Sequence, residues 1–223
     1  MNVKLFAEAV TKFLLGVILV GILIFIPAGT IKFFNGILFM IILFIPMFIA
    51  GIVMMIKSPE LLRERLNAKE KETEQQLVVK LSGLMFVTGF ILAGINYRLD
   101  WIILPNIVVI IASITFIISY ILYAEVLREN MFLLRTIKVK DNQKLIDTGF
   151  YKVVRHPMYL ITIPLFLSMT LILGSLISFI IFLIYPILII KRINNEEKVL
   201  ERDLKGYKEY KKKVKYKLIP YIW

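Results

Sequence analysis

Cysteine is absent from this chain of 223 residues, and histidine occurs once, at position 156. The absence of cysteine excludes disulfides, thiolate metal sites and a cysteine nucleophile. A zinc or iron site built by the protein needs several ligating side chains, and a single histidine supplies too few nitrogen ligands for one. We therefore predict that the protein holds no metal.

Long polar stretches are also scarce. Hydrophobic residues make up 59% of the chain, whereas soluble domains have about 45–50%. Several apolar runs approach or exceed the roughly 20 residues that cross a bilayer as a helix, so the sequence predicts an integral membrane protein. The net charge of +12 does not indicate a nucleic-acid partner. The basic residues lie between apolar runs, where loops meet the anionic lipids of a membrane leaflet.

Six apolar runs are read as membrane spans, at about residues 13–27, 36–56, 81–95, 101–123, 158–173 and 175–190. Of the 28 Lys and Arg residues, all except Lys32 and Arg98 lie in the N-terminus, two alternate connections and the C-terminal tail. Because cytoplasmic loops are rich in Lys and Arg, this asymmetry predicts an even number of spans with both termini in the cytoplasm. No clear small-residue cleavage site follows the first run, so we expect it to be retained as a span.

The sequence therefore predicts an all-α fold, a polytopic membrane bundle of about six transmembrane helices with a cytoplasmic C-terminal helix. Only Gly174 and its neighbours separate the last two spans, so these spans are expected to form a tight helical hairpin. We divide the chain into four N-terminal spans, residues 1–124, and a C-terminal core, residues 125–223. The polar stretch NAKEKETEQQ, residues 67–76, is expected to be a solvated cytoplasmic helix or loop.

Arg155, His156 and Pro157 form a dense polar cluster at the start of the fifth span. Proline suits the first turn of a helix, where its missing N–H costs nothing, and the free N–H groups of that turn attract anionic ligand groups. The flexible Gly149 and the polar Tyr159 lie nearby. The alternative is structural, with Arg155 as a positive anchor at the membrane surface and His156 as a capped interfacial residue. That alternative is the commoner case in membrane proteins.

The C-terminal tail, residues 191–223, is predicted to continue as a helix out of the sixth span. Helical spacing places several side chains close to one face, with Glu197 beside them: Glu196, Leu200, Leu204 and Tyr207. Gly206 is expected to end or bend this helix, and the lysines of residues 205–217 to lie against lipid headgroups. Because both ends of the hairpin return to one level, the basic cluster and the tail are expected to bring together Arg155, His156, Arg192, Glu196 and Glu197.

The connector after the fourth span, residues 125–149, carries several polar residues, among them Asn130. Its second half, RTIKVKDNQKLIDTG, alternates apolar and polar residues in part, so it is read as a short extended segment or a surface loop. We favour a plain connector, with lining of the site through Asn130 as the alternative.

Two stretches of the chain, LIDTGFYKVVRHPMYL and, about forty residues later, EEKVLERDLKGYKEYKKKVKYKLIP, resemble the isoprenylcysteine carboxyl methyltransferase and phospholipid N-methyltransferase superfamily, in particular its bacterial membrane methyltransferases. The resemblance covers roughly residues 125–223. It implies an S-adenosyl-L-methionine pocket built from the last spans and the C-terminal helix, in a bacterial or archaeal cell membrane. It further implies cofactor-binding roles for Arg155, His156, Tyr159, Glu196, Glu197, Tyr207 and Tyr210.

The catalytic candidates are Arg192, Glu197 and Asn130. Methyl transfer from a sulfonium is an in-line displacement, which needs positioning more than a reactive side chain. The implied acceptor is a lipid-like or prenylated small molecule. It carries either a carboxylate that an arginine orients or an amine whose proton a glutamate or histidine removes. Two positions depart from the family pattern: Phe150 stands where members often have proline, and Ile161 stands where many have glycine.

Two alternatives remain open on the sequence. The ending VKYKLIPYIW also resembles membrane sterol reductases, which share the Arg-His-Pro-x-Tyr motif and use NADPH. Those proteins are usually longer, and the paired Glu196 and Glu197 favour methyl transfer. The second alternative is a transporter or a structural membrane subunit. Ionisable residues in mid-membrane usually mark transport pathways, and this chain has few, since Arg98, Asp100 and Glu125 lie at the ends of spans.

Overall fold

The computed structural model describes residues 3–67, 70, 72–133, 136, 137, 139 and 143–223, with residues 73 and 74 described by their backbone alone. The regular structure of these residues is helical, without a β-strand. The helices are α1 Val3–Ala28, α2 Phe34–Lys57, α3 Pro59–Leu66, α4 Thr73–Leu99, α5 Asn106–Glu129, α6 Pro157–Ile172, α7 Leu176–Phe182, α8 Ile184–Asp203 and α9 Tyr207–Lys213, with a 3-10 turn at Gly149–Lys152. The predicted all-α fold is confirmed.

Five helical stretches are long and apolar enough to cross a membrane: Val3–Ala28, Phe34–Lys57, Gln75–Leu99, Asn106–Glu129 and Leu176–Asp203. The last of them comprises α7 and α8. α6 is apolar as well, but its 16 residues extend only about 24 Å, less than the roughly 30 Å of a hydrocarbon core. Five of the six predicted spans thus correspond to stretches long enough to cross a membrane, the last of them formed by α7 and α8, whereas the fifth predicted span corresponds to the shorter α6. The fourth begins at Asn106, later than expected, because the residue before a proline such as Pro105 disfavours helical geometry.

Contacts at one end of the bundle fix the path of the chain. There Lys12 Nζ, near the start of α1, donates to the Leu66 carbonyl of α3 at 2.6 Å. At the same end Gln75, in the first turn of α4, bonds to Arg192 of α8. The helices therefore pass along the bundle six times, and both ends of the described chain lie at this end, which we call the site end. Its cytoplasmic placement stays a prediction.

α6 is among the most buried helices, with nine of its 16 residues buried. In contrast, α1 and α2 expose apolar side chains such as Ile45 along much of their length, as expected where lipid surrounds a helix. Glycines let α4 approach its neighbours closely, because a Cβ at Gly89 would overlap the Phe182 ring and one at Gly94 would overlap the Ile24 carbonyl. These glycines thus bring α4 close to α7 and to α1.

The predicted hairpin is present between α6 and α7. Gly174 has a φ of 74°, a left-handed conformation that glycine adopts readily, and the Ser175 hydroxyl accepts a hydrogen bond from the Ser178 N–H at 3.2 Å. The predicted extension of the last span is also confirmed. α8 continues to Asp203, and Gly206, with a φ of 86°, immediately precedes α9.

The expectation of a solvated stretch over residues 67–76 holds for Glu72 and Gln76, which are exposed, and is wrong at Gln75. The Gln75 side chain is only 1% exposed, because it packs against Arg192, which lies 117 residues further along the chain. A pattern of neighbouring residues contains no signal for so distant a partner. Residues 68, 69 and 71 lie outside the described residues. So do residues 135, 138 and 140–142 of the connector before α6, whose described part contains no strand and agrees with the loop alternative.

Candidate active site

A cavity opens at the site end, beside the first turn of α6. It is partly open to solvent and has a cavity volume of about 80 Å³. Its described walls come from the connector after α5 and from α6, α8 and α9. Eight of the predicted site residues line it: Asn130, Arg155, His156, Tyr159, Arg192, Glu196, Tyr207 and Tyr210. The ninth, Glu197, lies behind Arg155, outside the lining that the described residues form.

The Arg155 guanidinium joins three parts of the chain. Its Nε donates to Glu197 Oε1 at 2.6 Å, and its Nη1 donates to the carbonyls of Val214 and Lys215 at 2.7 and 2.8 Å. Three of the five N–H donors of an arginine are therefore used in holding α8 and the tail against the start of α6. These contacts give Arg155 the structural role of a buried link, which differs from the positive anchor at the membrane surface that the sequence offered as the alternative. They do not involve its Nη2.

The backbone around the polar cluster is also bonded to the tail. The N–H of Arg155 donates to the Tyr216 carbonyl at 3.0 Å, and the N–H of His156 donates to the Lys217 carbonyl at 2.9 Å. Leu218 then enters the main hydrophobic core. The tail thus packs across the segment that precedes α6 and stabilises the backbone of two residues that line the cavity, Arg155 and His156.

Glu197 is a buried carboxylate surrounded by basic groups. Besides Arg155, it has His156 Nε2 at 3.4 Å from Oε1 and Lys217 Nζ at 3.4 Å from Oε2. The Tyr207 hydroxyl donates to Oε1 at 3.4 Å. A buried carboxylate needs such partners, because leaving a charge unpaired in the interior is costly. Glu197 therefore orients the residues that line the cavity, and direct contact between Glu197 and a ligand stays a prediction.

Tyr159 connects two charged side chains of α8 across the cavity wall. Arg192 Nε donates to the Tyr159 hydroxyl at 2.8 Å, and that hydroxyl donates to Glu196 Oε2 at 2.5 Å. Residues 192 and 196 lie one helical turn apart and so share a face of α8. The guanidinium also lies 6.0 Å from the centroid of the Tyr159 ring. The three side chains form one connected polar unit.

Asn130 belongs to the lining, which supports the alternative that the sequence left open. Its Nδ2 donates to the Tyr151 hydroxyl at 3.0 Å, and the Tyr210 hydroxyl donates to the Tyr151 carbonyl at 2.7 Å. Burial raises the pKa of Tyr151 and of Tyr210 above the usual value for a phenol. Burial and the neighbouring Glu197 carboxylate raise the pKa of Tyr207 in the same direction. All three phenols are therefore neutral hydrogen-bond donors at physiological pH.

The turn before the polar cluster depends on Glu129, which the sequence did not single out. Its carboxylate accepts hydrogen bonds from the Thr148 hydroxyl at 2.8 Å and from the Phe150 N–H at 3.2 Å. Gly149, with a φ of 46°, lies against this carboxylate, and a Cβ there would collide with it. Phe150, in the position where the family often has proline, supplies the N–H that this arrangement uses.

The connector between α3 and α4 also reaches the site, and sequence reasoning missed it. Arg192 Nη1 donates to Gln75 Oε1 at 3.4 Å, and Gln75 Nε2 donates to the Arg192 carbonyl at 3.3 Å. Glu70 Oε2 lies 3.9 Å from Arg192 Nη2. The only hint in the sequence is the presence of polar residues next to an apolar helix, which does not identify a partner.

The polar groups of the cavity suit a charged organic ligand. Arginine side chains bind carboxylates, and carboxylates bind ammonium groups or sugar hydroxyls. Apolar side chains complete the lining, among them Leu133, Met158 and Leu200. In the part of the chain that the structure describes, no group of three or more His, Cys, Asp or Glu side chains is arranged to hold a metal ion.

This chain is similar to known proteins of two kinds. The chain is 30% identical over 93 residues to a Delta(14)-sterol reductase of Mus musculus, a match that covers 40% of this chain and 22% of the relative. This chain therefore spans less than a quarter of the length of that curated relative. Residues 108–202 match the model of the isoprenylcysteine carboxyl methyltransferase family, a range that contains α6, α8 except for its last residue, and most of the cavity lining. This match confirms the predicted resemblance to the isoprenylcysteine carboxyl methyltransferase superfamily and supports a membrane methyltransferase.

Proposed function

We propose that the protein transfers a methyl group from S-adenosyl-L-methionine to a lipid-like or prenylated acceptor in the membrane. The observation that carries this proposal is the cavity at the start of α6, where charged groups and apolar side chains share one lining. A methyl donor of this kind is polar and enters from water, whereas the acceptor is apolar and enters from lipid. A site beside the end of a short membrane helix is accessible to both.

The residues present fit the methyl donor. Glu196 would hold its ammonium group or its ribose hydroxyls, Arg155 would hold its carboxylate, and Tyr207 would line its aromatic side. When bound, S-adenosyl-L-methionine supplies a methyl group activated by a positively charged sulfur. The protein then needs no nucleophile of its own, in agreement with a sequence that lacks cysteine.

The acceptor would lie on the side of Arg192 and Asn130. If the acceptor is a carboxylate, the planar Arg192 guanidinium orients it for in-line attack. If the acceptor is an amine, Glu196 or His156 takes up its proton. In both cases, the side chains of this protein contribute by fixing the relative position of the two reactants and by excluding water from the lining.

A membrane reductase that uses NADPH is the second candidate, and the match to the sterol reductase of Mus musculus favours it. Its reaction needs a reduced nicotinamide in the same cavity, which the Arg155 and Arg192 guanidinium groups would attract through the phosphates. Binding therefore distinguishes the two candidates more directly than any feature of the lining.

The test uses the purified full chain in lipid nanodiscs. We expect calorimetry to detect binding of S-adenosylhomocysteine, the product form of the cofactor, and no binding of NADPH. Membranes that contain the protein, incubated with radiolabelled S-adenosyl-L-methionine, should transfer label to a lipid-soluble fraction, and membranes with an Arg192→Ala variant should not. Binding of NADPH without binding of S-adenosylhomocysteine would replace the methyltransferase with the reductase.

A further inference from the structure

Arg192 is held from two opposite directions. On one side its Nε bonds to the Tyr159 hydroxyl at 2.8 Å, which belongs to the motif-bearing half of the chain. On the other side its Nη1 and its own carbonyl bond to the two ends of the Gln75 amide, at 3.4 and 3.3 Å. Gln75 lies outside residues 108–202, the range that matches the family model.

The burial of Gln75 makes this pairing informative. Its side chain is among the fully buried ones, at a helix start where neighbouring side chains such as Gln76 and Leu77 are exposed. A buried amide must bond both its oxygen and its nitrogen to avoid a large desolvation penalty. Gln75 bonds both to the same residue, so its amide plane and the Arg192 side chain fix each other.

Glu70 adds a second contact to the same guanidinium. Its Oε2 accepts a hydrogen bond from the Ile137 N–H at 3.3 Å and lies 3.9 Å from Arg192 Nη2. Its side chain is buried, and Ile137 lines the cavity. Glu70 therefore joins the charge of Arg192 to the cavity wall formed by the connector after α5.

A third residue of the same segment supports the wall from behind. Arg65 Nη1 donates to the Leu133 carbonyl at 3.1 Å, and its Nη2 donates to the Tyr123 hydroxyl at 2.6 Å. Leu133 lines the cavity as well. Residues 65–75 thus contact the cavity wall or Arg192 at three places, although no motif in this segment indicated a functional role.

We propose that Gln75 and Glu70 are positioning residues, which hold the Arg192 guanidinium so that its charge faces the methyl acceptor. This proposal rests on the function proposed above. A guanidinium binds a planar anionic group well only when its own plane is fixed. Tyr159 fixes one edge and Gln75 another, so loss of Gln75 removes one of the contacts that fix the plane of the group while its bond to Tyr159 persists. Acceptor binding should suffer and cofactor binding should not.

Two substitutions at residue 75 separate positioning from simple burial. Gln75→Leu keeps the approximate size and removes both polar atoms, whereas Gln75→Glu keeps an oxygen that accepts from Arg192. If Gln75 only filled space, leucine would be tolerated and a buried glutamate would be harmful. If Gln75 positions Arg192, the order is reversed. Lys80→Met, an exposed change on the same helix, is the matched control.

The first readout is kinetic and uses two probes, S-farnesylated N-acetylcysteine and vesicles of phosphatidylethanolamine. For whichever probe the wild type methylates, we expect Gln75→Leu to raise the acceptor KM about tenfold, the effect of one hydrogen bond to a charged group. The affinity for S-adenosylhomocysteine should stay within about twofold. Gln75→Glu keeps the acceptor for Arg192 Nη1 but loses the donor to the Arg192 carbonyl, so it should raise the KM less than Gln75→Leu does. Lys80→Met should retain the KM of the wild type.

The second readout needs no substrate. Phenylglyoxal modifies arginine side chains, and mass spectrometry gives its rate at Arg192 relative to Arg155. We expect severalfold faster modification of Arg192 in Gln75→Leu, a smaller increase in Gln75→Glu and the wild-type rate in Lys80→Met. An unchanged KM together with an unchanged modification rate in Gln75→Leu would overturn the positioning role. A larger increase of the acceptor KM in Gln75→Glu than in Gln75→Leu would overturn it as well. A wild type that binds no S-adenosylhomocysteine and methylates neither probe would instead remove the proposed function, while the modification rates would still test the contact.

Discussion

Arg155 Nε and Glu197 Oε1 lie 2.6 Å apart although 42 residues separate them in the chain. Both side chains are almost completely buried, and the pair joins the segment just before α6 to α8. Removing one partner of a buried ion pair leaves the other charge uncompensated, which typically costs about 3–5 kcal/mol. The pair is therefore the structural centre of the cavity wall.

The first prediction concerns this pair. Glu197→Gln should weaken the hold on Arg155 and lower the affinity for S-adenosylhomocysteine, because Arg155 and His156 lose the charge that orients them. His156→Ala should lower that affinity as well while the protein stays folded. Calorimetry measures the affinity, and size-exclusion chromatography checks folding. Unchanged affinity in both folded variants would remove the assignment of these residues to the site.

The second prediction concerns the Tyr159 hydroxyl, which bridges Arg192 and Glu196. Tyr159→Phe removes only that oxygen and leaves a donor and an acceptor without their shared partner. Such a loss costs about 1–3 kcal/mol, so the affinity for S-adenosylhomocysteine should fall about tenfold. Tyr185→Phe, which removes a buried hydroxyl bonded to Thr162 elsewhere in the core, is the matched control and should leave the affinity unchanged. Equal losses in the two variants would indicate a general packing effect.

The third prediction concerns the turn that precedes the polar cluster. Gly149→Ala introduces a Cβ that collides with the Glu129 carboxylate, at a backbone φ that side chains rarely adopt. Strain of this kind costs about 1–3 kcal/mol, and the midpoint of thermal unfolding should fall. The double variant Gly149→Ala with Glu129→Ala should recover part of the loss, because it removes the collision but not the strain in φ. If the double variant lowered the midpoint of thermal unfolding by the sum of the two single changes, residues 149 and 129 would be independent of each other.

Much of the fold could be predicted because it follows from local patterns. The six apolar runs, the turn at Gly174 and the extension of the last span as far as Asp203 depend on residues that are neighbours in the sequence. The motif around Arg155 and the pair of glutamates also identified most of the cavity lining. The length of α6 as a membrane helix was less accessible, since hydrophobicity alone does not show where a short helix begins and ends.

The rest of the site could not be predicted, because it depends on contacts between distant segments. Glu197 and Glu196 are adjacent, but only packing decides that one carboxylate faces Arg155 and the other faces Tyr159. The sequence around Gln75 predicts a surface residue, because its burial depends on the packing of α8 against the start of α4. A division of the chain after residue 124 remains a prediction, and the contact of Gln75 with Arg192 crosses that boundary.

The fourth prediction concerns the orientation of the bundle in the membrane. The chain has no cysteine, so each introduced cysteine is unique and can be labelled selectively. We choose Thr30→Cys because residue 30 lies between α1 and α2, opposite the site end. We choose Lys213→Cys because residue 213 lies at the end of α9, where the basic residues are concentrated. Because Lys and Arg favour the cytoplasmic side, intact cells should react with a membrane-impermeant maleimide at residue 30 and not at residue 213. Opened cells should react at both positions, which controls for burial of either thiol. If intact cells were labelled at residue 213 and not at residue 30, the orientation would be the opposite of the predicted one, with the cavity mouth outside the cell.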